Sequence, residues 1–179
     1  HLIRLTNSKI EAVACDLHPE FTTTMFANDL GIELNCPVVG VQHHHVHGAT
    51  LMAEHDLDEI VAIVGDGYGY GLDGQAWGGE ILSCNRDGGF RRLGHLEEQP
   101  LVGGDLATRY PLRMAAGILS KATDVGEWLL SNSVHLPHGK VEVDIILQQL
   151  KKGRVIMTSS CGRVLDAVSA VLGLCFERT

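Results

Sequence analysis

The sequence lacks the patterns that mark several large classes of protein. Its five cysteines are scattered and no two of them form a Cys-x-x-Cys pair, which argues against a zinc knuckle or a disulfide scaffold and favours a reducing, cytoplasmic location. No apolar run approaches the roughly 18 residues of a membrane span. The first residues do not have the pattern of a signal peptide. We therefore expect no membrane partner.

An excess of basic residues is also missing. The formal net charge of −8 argues against non-specific binding of nucleic acid, which normally uses a basic patch. The charge does not exclude a nucleotide ligand, because backbone N–H groups usually hold small phosphates. The chain begins with His1 rather than Met, so we expect it to be a piece of a longer protein.

What the sequence does contain predicts an α/β fold. Its 179 residues, 45% of them hydrophobic, can form one domain or two small lobes with a real core. Short buried strands are predicted at residues 10–16, 37–41 and 60–65, and the third opens an antiparallel meander that continues to residue 96. A glycine-rich turn at 66–74 and a hairpin turn at 85–89 are expected to connect the strands of the meander.

Helices are predicted on both sides of this meander. Helical spacing of apolar residues favours helices at 19–30, with Gly31 as C-cap, and at 44–55. Beyond the meander, Asp105 is expected to cap a helix that runs to about residue 121 and that Pro111 must start, kink or interrupt. Further helical segments are predicted at 127–130, 141–152 and 164–174.

The histidine cluster at residues 43–47 is the strongest indication of a functional site. Four imidazoles fall within five positions, directly after a predicted strand. Imidazole is the commonest protein ligand for metals, and His43 and His47 are four residues apart, so they share one face of a helix. We interpret the cluster as a metal or anion site, with a polar helix start as the structural alternative. His44 and His45 are expected to support the site or to lie at the surface.

An acidic residue followed by several glycines forms a second candidate site. Asp66 ends a predicted buried strand, where it could ligate a metal or position a metal-bound phosphate. Backbone N–H groups in the glycine-rich run DGYGYGLDG can form an anion-binding concavity. The run is neither a Walker A nor a Rossmann motif, because the lysine and the strand–helix context are missing.

Three weaker candidates remain balanced against structural interpretations. Gly103 and Gly104 precede a helix that carries Arg109 and Arg113 four residues apart, which would suit a phosphate or carboxylate as well as a simple helix cap. An acid at 166 has apolar neighbours, so it needs a partner such as Arg163 or a ligand hydroxyl. Asp16 and His18 form another polar pair, which a strand end and helix cap would equally explain.

Four stretches taken together resemble the HypF carbamoyltransferases, a family of hydrogenase-maturation proteins. The matching stretches are VACDLHP at 13–19, VQHHHVH at 41–47, DGYGYGLDGQAWGGE at 66–80 and SSCGRVLDAV at 159–168. Any one of them would be a weak signal, whereas the combination is specific and covers nearly the whole chain. The region is similar to the part of HypF that is related to TsaD-type tRNA threonylcarbamoyl transferases, in the actin-like ATPase (ASKHA) superfamily.

The resemblance implies a fold and a set of site residues. It implies two incomplete ribonuclease-H-like lobes, with residues 1–58 as the end of lobe one and residues 59–179 as the front of lobe two. It implies a divalent metal, zinc or iron, on His43, His47 and Asp66. It also implies a nucleotide site; its residues would be Gly67, Gly69, Gly71, Gly78, Gly79 and Asp166.

The resemblance also implies an activity and a partner. HypF converts carbamoyl phosphate and ATP into a carbamoyl adenylate, and this region would transfer the carbamoyl group onto the C-terminal cysteine of a HypE-type protein. The resulting thiocarboxamide becomes the cyanide ligand of nickel–iron hydrogenases. The five local cysteines then need no catalytic role, and no catalytic residue is assigned within the chain.

The sequence departs from the family pattern at its end and leaves alternatives open. It stops before a further Gly-Gly nucleotide motif and another metal-binding acid, so we expect half of a metal site and little activity from the chain alone. Unpaired sheet edges would favour a homodimer. The alternatives are threonylcarbamoyl transfer to tRNA, a metal-dependent hydrolase, for which no glutamate base lies between the two histidines, and a non-catalytic fragment that only binds a partner.

Overall fold

The computed structural model describes residues 2–6 and 8–178. Two separate sheets carry the strands of the described residues. The first sheet contains β1 (Val13–Asp16) and β2 (Val38–Val41), which pair in parallel with Asp16 opposite Val41. The second contains β3 (Glu59–Tyr70), β4 (Ala76–Asn85), β5 (Phe90–His95), β6 (Gln99–Leu101) and β7 (Ile156–Thr158).

The second sheet contains the predicted meander. The strands β3, β4 and β5 pair antiparallel in sequence order, and β4 also touches β7 in parallel through Ala76 and Thr158. The predicted turn at 85–89 is confirmed, because the Asn85 N–H donates to the carbonyl of Gly89 at 3.0 Å. Strands β6 and β7 were not predicted, since three-residue strands are too short to show a period.

The predicted glycine-rich turn is largely strand, which corrects its boundary. Strand β3 continues to Tyr70, with an irregular register between Gly65 and Gly69, and the chain reverses only at residues 71–75. A bulge of this kind re-aims side chains without ending the strand. Asp66 therefore lies inside β3 rather than at its end.

The other regular elements of the described chain are helices. Their bounds are α1 (Leu2–Thr6), α2 (Thr22–Leu34), α3 (His43–His55), α4 (Asp105–Arg109), α5 (Pro111–Leu119), α6 (Gly126–Ser131), α7 (Gly139–Lys152) and α8 (Cys161–Val171), with a 3₁₀ turn at Ser133–His135. Pro111 starts α5 and so divides the predicted 105–121 helix, as one of the expected outcomes had it.

The expected C-cap at Gly31 is wrong. Helix α2 continues to Leu34, and Asn35 closes it in the left-handed conformation with φ 51°. Gly31 instead lies where the helix approaches β2, because a Cβ there would come within 3.2 Å of the Cys36 carbonyl oxygen and closer still to Val38.

Helix α3 follows β2 in the chain but packs on the second sheet. Met52 joins Ala62, Val64, Leu82 and Cys84 in one apolar cluster between α3 and strands β3 and β4. A larger cluster lies among α4–α8 and β6, around Leu112, Met114, Leu129, Val143 and Ile146. The small cluster fixes α3 against β3, and this contact brings the histidines to Asp66.

Strand β3 is an edge strand in the part of the chain that the structure describes. Its side chains Val61 and Ile63 are 64% and 84% exposed, so this face of the sheet is apolar and open. Among residues 2–6 and 8–178, no helix combines the length and apolar character that crossing a membrane requires.

Candidate metal centre

Three elements converge on the histidine cluster. Strand β2 leads directly into α3, which begins at His43, and β3 passes beside this first turn with Asp66. Gln42 fixes the junction: its Oε1 accepts from the His45 N–H at 2.8 Å and its Nε2 donates to the Tyr70 carbonyl at 3.1 Å. The N-cap of the helix is thereby tied to the strand that carries the acid.

The structure brings His43, His47 and Asp66 together, as the sequence predicts. The Asp66 Oδ2 atom is 3.0 Å from His43 Nε2 and 3.7 Å from His47 Nε2. One ligand atom from each of the three residues lies within 4.8 Å of the others. The i, i+4 spacing on α3 explains why both imidazoles reach the same oxygen.

These residues fit a divalent metal. With zinc–nitrogen and zinc–oxygen bonds of about 2.0–2.2 Å, two ligands on one tetrahedral ion lie roughly 3.3 Å apart, close to the two distances observed. The Asp66 Oδ2 atom is buried and has no hydrogen-bond partner, although His43 Nε2 is at contact distance. An unsatisfied carboxylate oxygen facing two imidazole nitrogens suits a cation.

His44 supports this group from behind. Its side chain is fully buried, and burial, followed by the nearby His43, lowers its pKa. The Gln42 amide donates to His44 Nδ1 at 3.1 Å, which leaves the proton on Nε2, 3.8 Å from Asp66 Oδ2. His44 therefore directs a donor towards Asp66 rather than a lone pair.

His45 points to the opposite side of the helix. Its ring stacks on Phe90 with 4.8 Å between centroids, and burial lowers its pKa. It does not belong to the cluster formed by His43, His47 and Asp66. Of the four imidazoles, those of His43 and His47 converge on Asp66. His44 is buried behind them, and His45 packs on Phe90 of β5.

The glycines predicted for a nucleotide site are mostly in close contact with protein atoms. A Cβ on Gly69 would lie 2.9 Å from His43 Cβ, and one on Gly71 would lie 2.5 Å from Trp77 Cδ1. The bare backbone at Gly69 lets the first turn of α3 approach β3, the strand that carries Asp66. Gly67 has more room, with an added Cβ 3.6 Å from the Arg163 guanidinium.

Gly78 and Gly79 lie under the loop that precedes α8. Cβ atoms there would lie 2.8 Å from Ser160 Cα and 2.6 Å from the Ser159 carbonyl oxygen, respectively. Both backbone N–H groups donate to Glu80 Oε1, at 3.1 and 3.3 Å. These donors are used inside the protein, so nucleotide contact at these glycines stays a prediction.

Glu80 holds this region together, and the sequence interpretation did not single it out. The side chain is fully buried and accepts from Arg92 Nε at 2.6 Å and from Ser159 Oγ at 2.5 Å. Burial alone would raise its pKa, but these hydrogen bonds outweigh burial and lower the pKa below the ordinary value. The one feature of the sequence that could have indicated a role for Glu80 is its position directly after Gly78 and Gly79.

Asp166 has the partner that the sequence requires. Its Oδ2 atom accepts from Arg163 at 2.9 Å and from Arg178 at 3.0 Å. Contact with a nucleotide ribose stays a prediction for this acid. The phosphate role considered for Arg113 is wrong, because its guanidinium is buried on Glu142 at 2.5 Å.

Asp16 lies beside His43, a contact that the sequence analysis did not predict. Its Oδ2 atom is 3.1 Å from His43 Nδ1, and its Oδ1 atom accepts from the His18 N–H at 2.9 Å. The parallel pairing of β1 with β2 explains this, because it aligns Asp16 with the residue two positions before His43. The predicted pair with His18 is therefore an Asx-type turn that aims the carboxylate at α3.

Comparisons with known proteins agree along the whole chain. The family model "HypF Kae1-like domain" matches residues 1–54, and the model "Carbamoyltransferase, Kae1-like Domain, second subdomain" matches residues 62–179. A probable carbamoyltransferase HypF of Methanocaldococcus jannaschii is 46% identical over 100% of this chain and 24% of its own length. The carbamoyltransferase HypF2 of Cupriavidus necator is 42% identical over 97% of this chain and 21% of its own length.

Solved structures give the same result. A full-length HypF in the phosphate- and nucleotide-bound form superposes with a TM-score of 0.82 at 37% identity, over 99% of this chain and 27% of that one. The HypF of T. kodakarensis superposes with a TM-score of 0.83 at 41% identity, over 95% of this chain and 23% of that one. The chain spans less than a quarter of the length of these two curated relatives. The chain belongs to the HypF carbamoyltransferase family, and it has that family's Kae1-like, ribonuclease-H-like α/β fold.

Proposed function

We propose that this chain contributes the acyl-transfer centre of a HypF-type carbamoyltransferase in the cytoplasm. The donor is carbamoyl adenylate, made from carbamoyl phosphate and ATP, and the acceptor is the C-terminal cysteine of a HypE-type protein. The observation that most directly supports the proposal is the convergence of His43, His47 and Asp66 within 4.8 Å in a Kae1-like fold. The five cysteines, all free, agree with a reducing compartment.

In this proposal His43, His47 and Asp66 hold a divalent metal, zinc or iron. The bound ion supplies Lewis-acid stabilisation of negative charge on the phosphate or the carbamoyl oxygen. The chain's own residues orient this site: Gln42 fixes the start of α3 and His44 directs its Nε2 proton towards Asp66. The remaining coordination positions belong to residues or ligands outside this group.

The nucleotide part of the proposal uses the neighbouring glycines. Gly67 and Gly69 lie in β3 beside the proposed metal ligands, and Gly71 opens the turn that follows β3. Gly78 and Gly79 lie on β4, and Asp166 lies on α8. A full-length HypF has been solved in a phosphate- and nucleotide-bound form, which supports the use of a nucleotide by the whole protein. We propose further that residues 1–58 and 59–179 belong to two lobes, since each carries its own sheet.

The proposed transfer needs one nucleophile, which comes from the partner. The acceptor sulfur forms a C–S bond with the carbamoyl carbon, and the C–O bond to the AMP phosphate breaks. AMP leaves with the electron pair of that bond, and the thiol proton passes to water. Nothing in this step uses a cysteine of the chain itself.

A histidine double variant tests the proposal. In the full-length protein, His43→Ala with His47→Ala should abolish thiocarboxamide formation on the acceptor cysteine, followed by mass spectrometry, because both imidazole ligands are lost. Adenylate formation from ATP and carbamoyl phosphate should persist. His55→Ala is the matched control, as an exposed imidazole at the other end of α3. Unchanged transfer by the double variant would overturn the metal role.

A further inference from the structure

Asp16 makes a contact that the proposed metal site does not yet explain. Its side chain is only 15% exposed, and its Oδ2 atom lies 3.1 Å from the Nδ1 atom of His43. On the other side of the same ring, His43 Nε2 faces Asp66 Oδ2 at 3.0 Å. The imidazole of His43 is thus held between two carboxylates from two different strands.

The two contacts differ in their hydrogen bonding. The Nδ1 contact with Asp16 has hydrogen-bond geometry, whereas Asp66 Oδ2 has no hydrogen-bond partner despite its distance from Nε2. A carboxylate can only accept, so the proton shared with Asp16 is on Nδ1 of His43. In the neutral ring, the lone pair is then on Nε2 and points towards Asp66.

We propose that Asp16 is a positioning residue that fixes the tautomer and orientation of His43 so that Nε2 is the metal-binding nitrogen. This inference rests on the proposed function, because it concerns the same metal site. Histidine ligands commonly donate their other N–H to a carboxylate, and loss of such a partner typically costs about 10–100-fold in metal affinity.

Neighbouring residues hold the Asp16 carboxylate in the orientation that this role requires. Its Oδ1 atom accepts from the His18 N–H at 2.9 Å, so the carboxylate has a fixed rotation. The Thr24 hydroxyl donates to the Asp16 carbonyl at 3.3 Å, which ties the end of β1 to α2. The His18 ring stacks on Phe21 with centroids 4.1 Å apart and so closes the turn from the far side.

The Asp16→Asn substitution separates this role from simple packing. The asparagine is nearly the same size, and its oxygen can still accept from the His18 N–H. Its amide would then donate to His43 Nδ1, and the proton would move to Nε2, where it blocks ligation; an equivalent substitution beside a catalytic histidine acts in this way. A packing role alone would lower stability and leave metal affinity unchanged.

The experiment measures Zn²⁺ affinity of the full-length protein by competition with a chelator. Asp16→Asn should weaken binding about 10–100-fold, while Asp29→Asn, an exposed acid on α2, should bind as the wild type does. The visible spectrum of the Co²⁺-substituted protein should also change in Asp16→Asn, because one imidazole ligand is lost or replaced. Should Asp16→Asn fail to fold, Asp16→Ser takes its place, since serine keeps an acceptor for His18 but is too short to reach the imidazole.

A His43→Ala arm distinguishes this inference from the proposed function. If His43→Ala loses Zn²⁺ but Asp16→Asn binds with wild-type affinity and spectrum, the positioning role is overturned and the metal site stands. If His43→Ala itself binds Zn²⁺ normally, the metal role of His43 fails and this inference fails with it.

Discussion

Two clusters of charged side chains in this molecule differ in how fully their polar atoms are hydrogen-bonded. Around Arg113 and Glu142, the guanidinium donates twice to the carboxylate, at 2.8 and 2.5 Å, and once to the Val102 carbonyl at 3.2 Å. The second oxygen of Glu142 accepts from the His138 N–H at 3.1 Å. This cluster contains a complete set of partners.

Around Asp66, the arrangement is incomplete. Its Oδ1 atom accepts from the Gly67 N–H at 2.6 Å, but its buried Oδ2 atom has no hydrogen-bond partner. The Nε2 atoms of His43, His47 and His44 lie 3.0, 3.7 and 3.8 Å from this Oδ2 atom. Buried polar atoms are rarely left unsatisfied in proteins, so a convergent group of them indicates a ligand. The difference teaches that burial of charge alone does not distinguish the two clusters, whereas the hydrogen bonding of their carboxylate oxygens does.

Breaking the satisfied cluster should produce the largest loss of stability. Glu142→Ala leaves Arg113 charged, buried and unpaired, which should cost about 3–5 kcal/mol in the free energy of unfolding. Urea denaturation measures this cost, and Asp144→Ala, an exposed acid on the same helix, is the control. A loss below about 1 kcal/mol would show that the interior at Arg113 relaxes or admits water.

Breaking the unsatisfied cluster should mainly change metal binding. Asp66→Asn should weaken Zn²⁺ binding by about 100-fold or more, beyond the effect of losing an outer partner, because a charged ligand is removed. The unfolding free energy without metal should change little, since Oδ2 has no hydrogen bond to lose. Glu142→Ala should bind Zn²⁺ normally where it is folded. If Asp66→Asn and Glu142→Ala lost similar amounts of unfolding free energy, the proposed difference between the two clusters would be wrong.

Glu80 is a second buried acid with a full set of partners, and the pH dependence of its contribution to stability extends the comparison. Its pKa is lower in the folded state than in the unfolded state, so its stabilising effect is complete above its ordinary value of 4.5 and is lost as pH falls through the folded value. Glu80→Gln should therefore cost about 1.5–3 kcal/mol near neutral pH, because the charged hydrogen bonds to Arg92 and Ser159 are lost.

The measurement compares urea denaturation of the wild type and Glu80→Gln from about pH 7 downward. The gap between the two proteins should narrow as pH falls through the acid range, since protonation removes the charge that the variant lacks. Glu98→Gln, on the connection between β5 and β6, serves as a charge-matched control. A gap that stays constant with pH would mean that Glu80 acts through shape rather than charge.

The local features of the fold were predictable from residue patterns. The meander at 60–96 and helix α3 follow from apolar periodicity and turn residues, which act over a few neighbouring positions. The pairing of His43 with His47 follows from helical spacing. The glycine-rich turn and the Gly31 cap were misplaced, because packing against α3 and against Val38 explains those glycines better than a turn does.

The sequence by itself therefore determined the family, the order of the main elements and the candidate ligands His43, His47 and Asp66. Only the tertiary structure decided the long-range contacts: Asp16 with His43, Gln42 with Tyr70, and Glu142 with Arg113. The residues of these pairs are 27, 28 and 29 positions apart in the sequence. The physical reason is the distance along the sequence over which each kind of interaction acts. Periodicity and capping act within one element, whereas these contacts depend on how sheets and helices pack across the chain, and no local pattern specifies that arrangement.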